Sequence, residues 1–190
     1  MTYVTVITMV AYVVLVVLLG AISLIDARTR RIPNGLVAAM AALWAAWRLA
    51  LGFAGAHTGV GFTAGLVSSA PEVPLPFGLA IVGESLAGGL IGALVLGGGL
   101  LVLTAAYEVI AHKEAFGGGD IKLLAVLGLF LGWERGVLCI LAACVASVLY
   151  VLVKTLAGKR PAEKARDAFG STTMPFGPFI ALGTLAAFVS

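Results

Sequence analysis

Two aspartates stand where chemistry could occur. Asp26 lies in SLIDARTRRIPNGL (residues 23–36) and Asp120 in AFGGGDIKLL (residues 115–124), each where an apolar run meets a polar break. A carboxylate at the mouth of a membrane helix is costly, and is a candidate functional group for that reason. Two such groups held together cannot both ionise easily, so the pair shares a proton. The ionised member can take a proton from water while the protonated member donates to a carbonyl oxygen. That is general acid–base hydrolysis of a peptide bond, with no covalent intermediate.

Gly117, Gly118 and Gly119 precede Asp120. Without side chains, they let other backbone approach the acid closely. A peptide must lie extended to be attacked, because a helix buries its own peptide bonds, and a glycine loop could receive such a segment. The same residues also read as a glycine-rich turn before a helix capped by Asp120. Spacing alone does not choose between the two.

The elements that must position these acids are membrane helices. Of the 190 residues, 61% are hydrophobic and 11% charged, against about 25% charged in soluble domains. The mean hydropathy is +1.12. Such a chain cannot cover a water-soluble surface, and its length fits one membrane domain over residues 1–190. A span needs about 20 apolar residues. Residues 3–25, 36–54, 83–110, 121–133, 136–153 and 175–189 supply about six candidates, the fourth and sixth of them short. The expected fold is an all-α polytopic bundle. Glu134 and Arg135 read as a tight turn between the fourth and fifth spans. Residues 57–77, rich in Gly, Ser, Thr and Pro, read as an external loop.

Basic residues fix the expected orientation. Arg28, Arg30 and Arg31 fill the first break, His112, Lys113 and Lys122 surround the third, and Lys154, Lys159, Arg160, Lys164 and Arg166 mark the fifth. Positive loops stay inside. Breaks one, three and five are therefore expected in the cytoplasm, and both termini outside. Two spans separate Asp26 from Asp120, and an even number of crossings returns the chain to the same face. Both acids are expected at the cytoplasmic surface of the inner membrane.

Other function classes are poorly supported. The net charge is +3, with no aromatic-interleaved basic surface for nucleic acid. Cys139 and Cys144, five residues apart, form neither a CxxC nor a zinc-ligand pattern, and no metal or cofactor is expected. The N-terminal run lacks a basic n-region and is too long for a signal peptide, so it reads as a retained helix.

The motifs GGGDIKLLAVLGLFLG, SLIDARTRRIPNGL and MPFGPFIALG (residues 174–183) resemble, in order, those of the type IV prepilin peptidase family. GxGD alone also occurs in presenilin-like proteins; the combination is specific. The resemblance implies an intramembrane aspartic endopeptidase. Its substrates would be prepilins or pseudopilins, with a short basic leader and a hydrophobic helix, cut on the cytoplasmic face. The family's catalytic pair maps onto Asp26 and Asp120, with Gly117 and Gly119 as motif residues. The first break is only about ten residues long and holds no cysteine, which resembles the compact peptidases of Flp/Tad-type pilus systems. It departs from longer members that also N-methylate the mature pilin. A preflagellin-type peptidase is the near alternative. A proton-coupled transporter and a non-catalytic assembly factor are the distant ones, and the transporter would predict an internal repeat.

Several residues have weaker claims. Lys122 could act on Asp120, bind lipid phosphate or snorkel. Pro33 and Asn34 shape the turn into the second span and with it the position of Asp26. Arg48 reads first as a snorkelling residue of the outer half, second as a partner of Glu84. Glu108 reads as a surface acid near the depth of the aspartates, or as a substrate contact.

Overall fold

A computed structural model of the protein describes residues 2–69, 73–74, 80–81, 84–111, 117–156 and 176–189. Helix α1 spans Thr2–Thr29 and α2 spans Asn34–His57. A short helix, α3 (Phe62–Val67), follows. A two-residue antiparallel ladder comes next, β1 (Val73–Pro74) with β2 (Ala80–Ile81), pairing Val73 with Ile81. Helix α4 (Leu86–Ala93) passes through a π-helical turn, Leu94–Gly98, into α5 (Gly99–Ala111). The long α6 covers Gly118–Leu156, and α7 covers Gly177–Val189. The fold is otherwise all-α. Four stretches are long and apolar enough to cross a membrane: Tyr3–Thr29, Asn34–His57, Leu86–Ile110 and Gly118–Lys154.

The pattern of α1 shows why both acids turn inward. Tyr12, Leu15, Leu19 and Ile22 are buried, whereas Val6, Val10, Val13 and Val17 are exposed. The buried set repeats at alternating three- and four-residue steps, the stripe of a core-facing helix. Asp26 is the next member of that stripe. In α6 the buried residues Leu123, Leu124, Leu127, Phe130 and Leu131 form a matching stripe, and Asp120 lies one turn before it.

Helix α6 is two helices. Gly132 has φ 72° and ψ −173°, outside helical geometry. Before it, Ala125 meets Gly97 and Gly128 meets Gly92 in close antiparallel contact. After it, Gly136 meets Leu96, back toward Ala125's level. The chain therefore reverses at Gly132. The expected reversal at Glu134–Arg135 lies two residues too late, because both are already helical. The polar pair instead opens the returning arm. Reversal strands the last carbonyls of the first arm, and aromatic side chains take them. Trp44 Nε1 donates to the Leu129 carbonyl (2.8 Å) and Tyr12 Oη to that of Phe130 (3.3 Å). Tyr12, Trp47 and Phe130 also form a ring cluster, with centroids 5.7 to 6.1 Å apart.

Arg48 corrects the first sequence expectation for it. It is 2% exposed and does not snorkel. The segment after α2 folds back along that helix instead, with Gly65 of α3 against Leu51 and Gly55. That brings the C-terminal carbonyls of α3 to the guanidinium. Nη1 donates to the Ser68 and Glu84 carbonyls (3.3 and 3.1 Å), and Nη2 to Val67 and Ser68 (3.4 and 3.3 Å). Its contact with Glu84 is thus to the backbone, and its charge suits a helix C-terminus. Other boundaries also shift. Helix α1 runs four residues beyond the expected span, and α6 begins at Gly118, three before the expected start. The third span carries the π-helical turn. Pro175, expected to open the last helix, lies outside the described residues.

Candidate active site

One end of the bundle collects the end of α1, the starts of α2, α6 and α7, and the end of α5. Asp26 sits in the last full turn of α1 and is 5% exposed. The backbone N–H of Gly177, first residue of α7, donates to its Oδ2 at 2.9 Å. Gly177 is buried, and a Cβ there would lie 2.9 Å from Oδ2 and 3.1 Å from the Asp26 Cβ. This fixes one carboxylate oxygen by a main-chain donor and leaves the other for a further partner. Sequence reasoning assigned Gly177 no role. Its signal was present only as the glycine inside the quoted MPFGPFIALG.

Asp120 is half-buried in the first turn of α6, where the helix dipole favours a carboxylate. Its backbone N–H donates to the Gly117 carbonyl at 3.0 Å. A Cβ on Gly117 would lie 3.2 Å from Asp120 Oδ2, so the bare glycine leaves that side of the acid open. The Asp26 and Asp120 carboxylates are close enough to interact electrostatically. The glycines do open a helix, but Asp120 does not cap it: α6 begins at Gly118 and Asp120 is its third residue.

The first break docks onto this segment. A Cβ on Gly119 would lie 3.0 Å from the Ile32 Cβ, so Ile32 packs over that glycine. Pro33, at φ −70° and ψ 119°, starts α2. Lys122 Nζ donates to Asn34 Oδ1 at 3.4 Å. Pro33, Asn34, Gly119 and Lys122 thus form one junction that holds the start of α6 against the exit of α1. Lys122 bridges the two breaks, a role that its reading as a lone cation did not include. Arg30, just past Asp26, takes the left-handed conformation (φ 53°) that ends α1, a position usually given to glycine. Arg28, Arg30, Arg31, Lys122 and Lys154 all lie at this end, by their places in the helices. His112, Lys113 and the basic residues at 159–166 lie outside the described residues. Among the described residues, no group of three His, Cys, Asp or Glu side chains could hold a metal.

A cleft opens beside Asp120. It has a volume of about 380 Å³ and is lined by Leu101, Thr104 and Glu108 of α5 and by Gly117, Gly118 and Ile121. Its lining is mixed, with Leu101 and Ile121 apolar, Glu108 charged and the Gly117–Gly118 backbone bare, and Asp120 lies next to it behind Gly117.

Fold and site define a class: a multi-pass helical membrane protein with two carboxylates brought together at one end. Residues 13–152, which contain both acids, match the model of the type IV leader peptidase family (Peptidase_A24), and the chain belongs to that family. It is an inner-membrane protein. It is similar to the prepilin leader peptidase/N-methyltransferase of Pseudomonas putida, 32% identical over 85% of this chain and 43% of the relative. That of Escherichia coli K12 is 35% identical over 40% of this chain and 30% of the relative. That of Burkholderia pseudomallei K96243 is 39% identical over 42% and 23%. The matches thus span less than half the length of these curated relatives. No solved structure matches the chain.

Proposed function

We propose that this protein is an intramembrane aspartic endopeptidase that removes the leader of prepilin-like proteins at the cytoplasmic face. The observation that carries the proposal is that Asp26 and Asp120 lie at the same end of the bundle, near enough to interact electrostatically. The two acids share one proton. The ionised acid takes a proton from a water, whose oxygen bonds to the peptide carbonyl carbon, while the protonated acid donates to the carbonyl oxygen. The proton taken from water then passes to the amine nitrogen as the C–N bond breaks. The Gly177 N–H orients Asp26 for this, and the α5/α6 cleft receives the extended substrate beside Asp120. The site residues are Asp26 and Asp120, with Gly117, Gly119, Lys122, Pro33 and Asn34 as their support. The proposal takes about six crossings with both termini outside and this end at the cytoplasm, a reading supported by the basic residues gathered there.

The relatives are named for two activities, leader cleavage and N-methylation. Only the first is proposed here, because the two acids account for hydrolysis alone. The test is co-expression with a prepilin from the same genome. The wild type shortens the prepilin. Asp26→Asn and Asp120→Asn each leave it intact, since loss of one acid–base group costs on the order of 10²- to 10⁴-fold. Cleavage surviving in both variants would falsify the dyad. A preflagellin in place of the prepilin separates the near alternative.

A further inference from the structure

The cleft beside Asp120 exists because α5 leaves the bundle. Gly97 packs on Ala125, but Gly98 and Gly99 meet nothing within 4 Å. Beyond them, Leu101, Val102, Leu103, Tyr107, Val109 and Ile110 are exposed, and Thr104 alone turns inward. The Thr104 hydroxyl is already committed to the Leu100 carbonyl of its own helix. Among the described lining residues, the one charged side chain is the exposed carboxylate of Glu108. It is also the only described acid at this end besides the two aspartates, in surroundings otherwise made basic by Arg28, Arg30, Arg31 and Lys122.

The register gives its distance from the reaction. Gly97 faces Ala125 and the helices run antiparallel, so Asp120 is level with about residue 102. Glu108 lies about six residues further toward the aqueous end, or ~9 Å at 1.5 Å per residue. An extended chain covers that in about two or three residues, at ~3.3 Å each. Gly117 and Gly118 leave room for its backbone, and Leu101 and Ile121 give its other end an apolar wall.

We infer that Glu108 is a specificity residue. It receives a cationic side chain of the cleaved polypeptide, two or three residues to the aqueous side of the bond broken at Asp26 and Asp120. The assignment rests on the leader-peptidase reading above. Charge complementarity carries it, since Glu108 is the one charged side chain among the described lining residues, and a carboxylate in a cleft open to peptide favours a positive partner.

The test uses the full-length protein in detergent and a prepilin from the same genome. Single changes to Glu are made at each of the four positions preceding the cleaved bond. Glu108→Gln should raise KM about tenfold for the unchanged prepilin, the loss of one charge-assisted contact, with kcat within about twofold. Glu108→Lys should process the unchanged prepilin poorly. It should recover on the variant with Glu two or three residues before the bond, and on no other. An unaltered KM in both Glu108 variants, or recovery at no position, overturns the assignment while wild-type cleavage stands. Failure of the wild-type protein to cleave, or cleavage by Asp26→Asn, overturns the leader-peptidase reading and this one with it. Both Glu108 variants are compared as folded, monodisperse fractions, so lost yield does not enter KM.

Discussion

Gly177 holds Asp26 through its main chain, and the space around it is too tight for a methyl group. Gly177→Ala would put a Cβ 2.9 Å from Oδ2, so the carboxylate must move. A displacement of about 1 Å at a reacting group costs on the order of 10²-fold. Cleavage by purified Gly177→Ala is expected to fall by about ten- to hundredfold in kcat, with the protein still folded; unchanged kcat would remove this contact from the positioning of Asp26. Both aspartates were legible in the sequence, because an acid that ends an apolar run has no cheap explanation. Gly177 was not. A main-chain donor has no side-chain signature, and its neighbours Phe176 and Pro178 mark only a helix start. Arg48 was misread for a related reason. Its partners are carbonyls of a segment whose fold back along α2 depends on Gly52, Gly55 and Gly65 together.

The reversal in α6 rests on one glycine. At φ 72° and ψ −173° Gly132 occupies a region that other residues reach only at a cost of about 1–3 kcal/mol. A Cβ would also lie 2.7 Å from Glu84 Cδ. Gly132→Ala is expected to destabilise the protein by about 2–3 kcal/mol, read as earlier thermal unfolding in detergent. A variant as stable as wild type would mean that the arms can join without this backbone geometry. The two arms were legible as separate spans, since a run of this length exceeds one bilayer crossing. The joint itself was not: Glu134 and Arg135 look like a turn by polarity, while Gly132 is one glycine among many. The stranded carbonyls at Leu129 and Phe130, taken by Trp44 and Tyr12, show what the reversal requires and why those aromatics are central. The π-helical turn in the third span left no mark that apolar periodicity could detect, because Leu94–Gly98 keeps the same composition as its flanks.

At the scale of the whole molecule, the two aspartates and the described basic residues other than Arg48, His57 and Arg135 gather at one end. The other end carries the α2–α3 fold and the Gly132 reversal. Charge placement made that polarity readable before any coordinates. The orientation follows if the basic end is cytoplasmic, and labelling in intact cells checks it. With the exposed Cys144 replaced by Ser and Cys139 left buried, a membrane-impermeant maleimide should label Thr58→Cys and spare Arg31→Cys. The reverse pattern would turn the protein over and remove the cytoplasmic assignment of the site.

The hydrogen bond from Gly177 to Asp26 also sets an order in time. Helix α7 leaves the ribosome after every other described helix, so a nascent chain holds both acids well before it holds the amide that orients one of them. On the proposed leader-peptidase reading, hydrolytic competence then waits for α7. A chain stopped before Gly177 should still insert in the membrane but leave prepilin uncut, and co-expressing α7 as a separate segment should restore cutting.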